Sequence, residues 1–291
     1  MFAFQLGRNM EIYVDDMLTK SVRDSDHYTD LRETFDVICM YDMRLNPEKG
    51  AFDVSSRKFL GFMVNQRGFS ANLDKIKAIQ ELRNPRTTKE IQGLTGQIVA
   101  LSRFVSRMTD LCLPFFQALK KNSSSQWNIN YERAFRQLKQ YLANPLILAK
   151  PNHEEMLYVY LAVPCEAISS VLIKEDHGVQ RVVYYISKTM TGPKTRYPEV
   201  EKLVLALIIS VRKLRPYFQA HPITVLNNYP LRQILQKMKA SGRIVKWAVE
   251  LSEFKLTHRP RTAIKGQAIA DFISEFSSDE TATTFQADTE S

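Results

Sequence analysis

The hydrophobic period of this 291-residue chain changes near Met156. Between residues 71 and 122 apolar side chains recur at helical spacing. Residues 157–163, 168–173 and 179–187 are instead short runs dense in Val, Ile, Leu and Tyr. A helical pattern does not fit a pleated sheet, and the reverse also holds, so the switch demands two architectures in one chain. The three runs predict consecutive antiparallel strands, the last two joined by a turn at Glu175-Asp176-His177-Gly178. A long helix over 198–218 follows, with Pro198 suited to its first turn. A strand at 223–226, helices near 231–237 and 243–252, a strand at 255–258 and a helix at 266–276 complete the pattern. Fold class is therefore α+β and multi-domain, with a domain boundary expected near Lys150.

The helical half carries its own punctuation. Asn72 is placed to cap a helix that runs to Leu82, and Asn84-Pro85 ends it. Thr87-Thr88-Lys89-Glu90 reads as a capping box opening a helix whose Ile91, Leu94, Ile98 and Leu101 share a face. Residues 122–126 are a loop, Trp127 is expected to anchor the turn after it, and 131–142 is a further helix, with Pro145 and Pro151 ending helical structure.

At the N-terminal end, Tyr13-Val14-Asp15-Asp16 lies between two short apolar runs, which puts both acids at the tip of a tight hairpin. Adjacent carboxylates repel unless a cation neutralises them, and Mg²⁺ takes carboxylate oxygens together with phosphates. The same dipeptide is also ordinary turn chemistry. A helix over 24–43 with Leu31, Phe35, Ile38 and Cys39 on one stripe follows, then Leu45-Asn46-Pro47-Glu48-Lys49 and a second hairpin containing 58–64.

These motifs, in this order, resemble the C-terminal half of the reverse transcriptase palm of gypsy-type long-terminal-repeat retrotransposons, in wording close to the plant branch. The resemblance continues through Leu94-Thr95-Gly96 and Ser102-Arg103-Phe104, then Tyr184-Tyr185-Ile186-Ser187-Lys188. It ends with Lys213-Leu214-Arg215-Pro216-Tyr217-Phe218 and Gly266-Gln267-Ala268-Ile269-Ala270-Asp271-Phe272. It implies partial palm hairpins over 1–70 and a helical thumb or connection over 71–150. An RNase H-like α/β domain with a mixed sheet would occupy 151–276, followed by a polar acidic tail, 277–291, expected to be disordered. It assigns Asp15 and Asp16 to catalytic Mg²⁺, and Phe59, Leu60, Gly61, Phe62 and Arg103 to contact with primer or template. A glycine at 61 suits close backbone approach, or a bulge.

Two-metal phosphoryl transfer needs several carboxylates. In the family a third polymerase Asp lies on an earlier strand, which is not among the twelve residues before Tyr13, so the polymerase site is expected to be incomplete in this chain. The family's RNase H acids fall on Ala162, Leu203, Asn228 and Asp271, of which one is acidic. Glu201 lies two residues from Leu203, about 200° around a helix, and points elsewhere. The resemblance therefore implies a degenerate RNase H-like domain that spaces thumb and nuclease on a hybrid duplex. Two further readings stand: an active polymerase once the missing segments are supplied, and a transposon relic without function.

Charge agrees with a nucleic-acid partner. The net charge is +9, yet residues 275–291 hold Glu275, Asp279, Glu280, Asp288 and Glu290 without Lys or Arg, so the remainder carries +14. Such a body suits phosphate backbones. Lys188, Lys194, Arg196, Lys202, Arg212, Lys213 and Arg215 sit in the expected RNase H-like domain, although Lys213 and Arg215 are equally placed to cap the negative end of the long helix. Other parts of the same polyprotein are further expected partners. Cys39, Cys112 and Cys165 lack metal-ligand spacing, and no apolar run reaches the length of a membrane span. A cytoplasmic or nuclear setting without membrane contact is expected.

Overall fold

The computed structural model describes residues 1–13, 16–21, 23–48, 50, 56–59, 62–65, 68–85, 87–106, 108–120, 129–144, 147–163, 167–236 and 242–261. The chain forms two compact units, Met1–Gln66 and Arg67–Ser291. The division falls between Gln66 and Arg67, and residue 150 lies within the second unit. Trp127, the helix expected at 266–276 and the tail lie outside the described residues.

In the first unit β1 (Met10–Tyr13) and β2 (Asp16–Thr19) form an antiparallel hairpin in the register Met10↔Thr19 to Tyr13↔Asp16. A 3₁₀ turn, Asp24–Asp26, leads into α1 (His27–Met40). Met10, Phe2 and Ile38 are buried together, with Ile12, Met17 and Val37 packed on them. The helix stops three residues before the expected end. Asp42 takes a left-handed conformation (φ 50°), its N–H donates to the Cys39 carbonyl, and Met43 donates to Ile38. That is a Schellman closure built on aspartate rather than glycine, which sequence patterns do not flag. A second hairpin pairs β3 (Ser56–Phe59) with β4 (Phe62–Asn65).

The second unit opens with β5 (Gly68–Ser70), followed by α2 (Leu73–Glu81), α3 (Thr88–Ala100), α4 (Met108–Lys120) and α5 (Ile129–Leu142). The expected caps are formed. The Asn72 side chain accepts from the Asp74 N–H, and Thr87 and Glu90 exchange both bonds of a capping box. Ile91, Leu94 and Ile98 are buried on one face of α3. Lys139 reaches from α5 to the Leu82 carbonyl (2.7 Å), holding the open end of α2. β6 (Ile147–Ala149) then pairs antiparallel with β5.

Five strands form the remaining sheet: β7 (Leu157–Ala162), β8 (Ala167–Asp176), β9 (Val179–Thr189), β10 (Ile223–Leu226) and β11 (Leu256–Arg259). Their order is β11-β10-β7-β8-β9. β7, β8 and β9 are an antiparallel meander, while β10 runs parallel to both β7 and β11. This is the mixed sheet expected of an RNase H-like domain. The β8–β9 turn has His177 (φ 49°) and Gly178 (φ 80°) both left-handed, the geometry that matches strand twist.

Between β9 and β10 run α6 (Glu199–Lys213) and α7 (Arg215–Ala220); α8 (Leu231–Gln236) and α9 (Gly242–Ser252) separate β10 from β11. The single helix expected over 198–218 is thus two. Pro216 has no N–H to continue the ladder and its ring crowds the carbonyl one turn back, so the chain restarts after Leu214. Leu157, Val159 and Leu161 of β7 meet Leu203, Val204, Leu207 and Val211 of α6 in one core, joined by Ile223 and Val225. Each such side chain contributes about 1.5–3 kcal/mol by leaving water. Three ion pairs tie α6 and α7 to α9 and the residue after it: Glu201 with Arg243 (3.0 Å), Arg212 with both oxygens of Glu250 (2.8 and 2.7 Å), and Arg215 with Glu253 (3.1 Å).

Candidate functional site

Residues of the expected polymerase hairpin are only partly described. Asp16 opens β2 opposite Tyr13, while Asp15 and the Asp16 side chain lie outside the described parts. The base of this hairpin is braced by polar contacts. Asn9 Nδ2 donates to Asp30 Oδ1 (2.8 Å) and Glu33 Oε2 (3.1 Å), and Lys20 pairs with Glu11. Hydrogen bonds from Ser21 and Asn9 hold the Asp30 carboxyl below the usual aspartate range. In the second hairpin Phe59 faces Phe62 across the register; their side chains, with Leu60 and Gly61, fall outside the described parts.

The structure gives clear positions for three of the four expected RNase H residues; Asp271 is outside the described set. Ala162 is the last residue of β7 and is buried. Asn228 follows the end of β10, and because β10 and β7 are parallel both positions lie at the same end of the sheet. Leu203 is on α6, 4% exposed, in the core it shares with Leu161. Neither Ala162 nor Leu203 offers a ligand atom. Asn228 Oδ1 accepts from the Arg261 backbone N–H (3.2 Å), and the Arg261 guanidinium donates to the Leu161 carbonyl (2.9 Å). Among the described residues a cation, Arg261, thus stands at this end of the sheet, and the sequence patterns did not single it out. Glu201 pairs with Arg243, whose guanidinium lies 4.3 Å from the Tyr197 ring centroid. On the adjacent strand His258 is held below its ordinary pKa, first by burial and then by the positive field of Arg232. Among the described residues no group of three or more His, Cys, Asp or Glu is placed to hold a metal.

Arg103 occupies a different setting. It follows α3, and its carbonyl accepts from the Tyr185 N–H (3.1 Å), joining the helical segment to β9. Its guanidinium sits 5.0 Å from the Tyr184 ring centroid, and Lys213 Nζ of α6 sits 5.7 Å from the same centroid. Each exposed pairing of this type contributes about 0.5–1 kcal/mol. The Lys213 ammonium is held below the usual lysine range, first by burial, then by the positive charges of Arg103 and Lys188. Of the cations at the end of α6 and start of α7, Arg212 and Arg215 are engaged by Glu250 of α9 and by Glu253 just after it, whereas Lys213 joins other cations. The motif around Arg103 signals its importance in sequence, but its meeting with Tyr184 and Lys213 spans about a third of the chain and has no local signature.

Residues 127–225 match the family described as an RNase H-like domain found in reverse transcriptase. The chain is 26% identical over 284 residues to the retrovirus-related Pol polyprotein from transposon opus of Drosophila melanogaster, covering 92% of this chain and 28% of that protein. It is 25% identical to the transposon Tf2-3 polyprotein of Schizosaccharomyces pombe, covering 90% of this chain and 20% of that one. It thus spans under a third of the length of these relatives. Its fold is shared with the foamy viral protease-reverse transcriptase. The TM-score is 0.75 at 21% identity to the dRH form in complex with double-stranded DNA, covering 88% of this chain and 46% of that chain. Against the complex with an RNA/DNA hybrid it is 0.76 at 20% identity, covering 97% and 38%. Among the described residues no helix is long and apolar enough to cross a membrane.

Proposed function

We propose that this chain is a nucleic-acid-holding region of a reverse transcriptase polyprotein of the gypsy type, plant lineage, whose RNase H-like domain grips a template–primer or RNA–DNA hybrid without cutting it. The reading is carried by a mixed five-stranded sheet in which Ala162, Leu203 and Asn228 stand where the resemblance expects three metal-binding acids. A pair of divalent ions needs several oxygen ligands held close together. An alanine methyl, a core leucine and an amide oxygen already bonded to the Arg261 N–H do not fit such ions, so no hydrolytic step runs through this crevice. The solved relatives in complex with double-stranded DNA and with a hybrid, and the charge of +14 over residues 1–274, support a nucleic-acid partner. The cytoplasm or nucleus is the setting in which such a partner is met.

Fluorescence anisotropy with a labelled RNA/DNA hybrid tests the binding, and gel analysis of the RNA strand in Mg²⁺ or Mn²⁺ tests the chemistry. Affinity that falls steeply with salt, over an intact RNA strand, is expected. A flat salt response overturns the binding; RNA cleavage overturns the inactive crevice. The intact Asp15-Asp16 pair favours a second reading, in which this region takes part in Mg²⁺-dependent DNA synthesis within a longer polyprotein. Loss of primer extension by such a polyprotein on D15N/D16N substitution would support it.

A further inference from the structure

We infer that Arg103 and Lys213, gathered around Tyr184, together with Lys188 four residues further along β9, form a seat for consecutive phosphates of one nucleic-acid strand at the junction of the helical segment and the RNase H-like sheet. This deepens the nucleic-acid reading and rests on it. The three cations come from three separate elements: the turn after α3, β9 and the C-terminal end of α6. What brings Arg103 and Lys213 together is structural, the Tyr185-to-Arg103 backbone hydrogen bond and the shared Tyr184 ring, while Lys188 lies four residues from Tyr184 on the same strand. Distances of 5.0 and 5.7 Å to one centroid put the Arg103 and Lys213 charges no more than 10.7 Å apart. Phosphates of one strand recur about every 3.4 Å along a duplex axis, so two or three fall within that span.

Assembling like charges is unfavourable unless something offsets it. The neighbouring charges that act on Lys213 are both positive, in contrast to Arg212 and Arg215 beside it, which have Glu250 and Glu253. The tyrosine ring offsets part of the repulsion and fixes the direction of the two cations. Lys188 is exposed, Tyr184 is half-buried, and Lys213 is exposed along its stem while its ammonium is partly desolvated, so the cluster forms an open ridge rather than an enclosed pocket. An open ridge of separated cations suits a polyanionic strand better than a single small anion.

The test compares wild type with K188Q/K213Q and with an equal-charge control, R136Q/K255Q, at exposed positions outside the cluster. Each protein is titrated with a short labelled RNA/DNA hybrid at several salt concentrations. Losing two phosphate contacts lowers the slope of log affinity against log salt by about 1.8 units, so the penalty for going from about 50 to 200 mM salt shrinks about twelvefold. That change is expected in K188Q/K213Q and not in the control. Equal slope losses in both variants would mean diffuse charge and overturn the seat while leaving nucleic-acid binding intact. A wild type with a flat, weak response would sink the underlying reading instead. Lysine-modification mapping supplies an independent readout: the hybrid should protect Lys188 and Lys213. Protection by inorganic phosphate equal to that by the hybrid would overturn the strand as the occupant.

Discussion

Replacing Leu203 by glutamate puts back an acid where the catalytic relatives are expected to carry one, and the structure says what that costs. Leu203 is 4% exposed within the α6–sheet core. Loss of its apolar burial removes about 2 kcal/mol. The new carboxyl meets apolar neighbours, so it avoids a buried charge by staying protonated. Holding a group of ordinary pKa about 4.3 neutral at pH 7 costs about 2.7 units at 1.36 kcal/mol each, or about 3.7 kcal/mol. The total of about 5–6 kcal/mol rivals the whole stability of many domains. Its sign with pH is diagnostic. A folded-state pKa raised above the unfolded value adds destabilisation only above about pH 4.3, so the L203E penalty should shrink to about 2 kcal/mol as pH falls towards 4. Urea unfolding of wild type, L203E and the volume-conserving L203M at pH 7 and at pH 4.5 measures this, with L203M expected to lose less than about 1.5 kcal/mol. An L203E variant within about 1 kcal/mol of wild type and flat with pH would refute the buried, ligand-free environment. RNA cleavage by the wild type in Mg²⁺ would refute the assignment of the crevice as unable to seat metal.

Other outcomes follow from single sites. Gly68 has φ +135° and a Cβ there would fall on the Leu148 carbonyl, so G68A should lose about 3 kcal/mol in denaturant unfolding; G178A, with open space at φ +80°, should lose about 1 kcal/mol. Cys112 is fully buried and its thiol is pushed up to about 12 by desolvation, whereas Cys39 is exposed. Peptide mapping after alkylation of native protein should therefore show Cys39 modified and Cys112 untouched until the second unit unfolds. His258 has a lowered pKa in the fold, so the unfolded chain binds its proton more readily; stability should fall as pH drops below about 6.5, by at most about 1.4 kcal/mol per unit from this group. In H258Q, thermal unfolding across pH 7 to 5 should show a shallower loss, and an unchanged slope would exclude the histidine as the cause.

Local chemistry made much of the architecture readable in advance. The Thr87–Glu90 box, the Asn72 cap and the His177-Gly178 turn are each decided within a few residues, and all are found where expected. The strand runs at 157, 179 and 223 were legible because β-rich patterning bounded by turn residues has few alternatives. Two helix ends were misread for reasons that are also local but weakly signalled. Asp42 closes α1 from a left-handed conformation usually given to glycine, and Pro216 permits a fresh helix start as readily as a stop.

By itself, then, the chain's residue order determined its elements, its mixed sheet and the absence of acids at positions 162, 203 and 228, because these depend on neighbours in sequence or on side-chain identity. Tertiary structure alone decided which groups stand together: Arg261 against Leu161 and Asn228, Arg243 against Glu201, and Arg103 beside Tyr184 and Lys213. Those meetings join residues 33 to 110 positions apart, and electrostatic fields follow distance in space, which residue order leaves open until the core has folded.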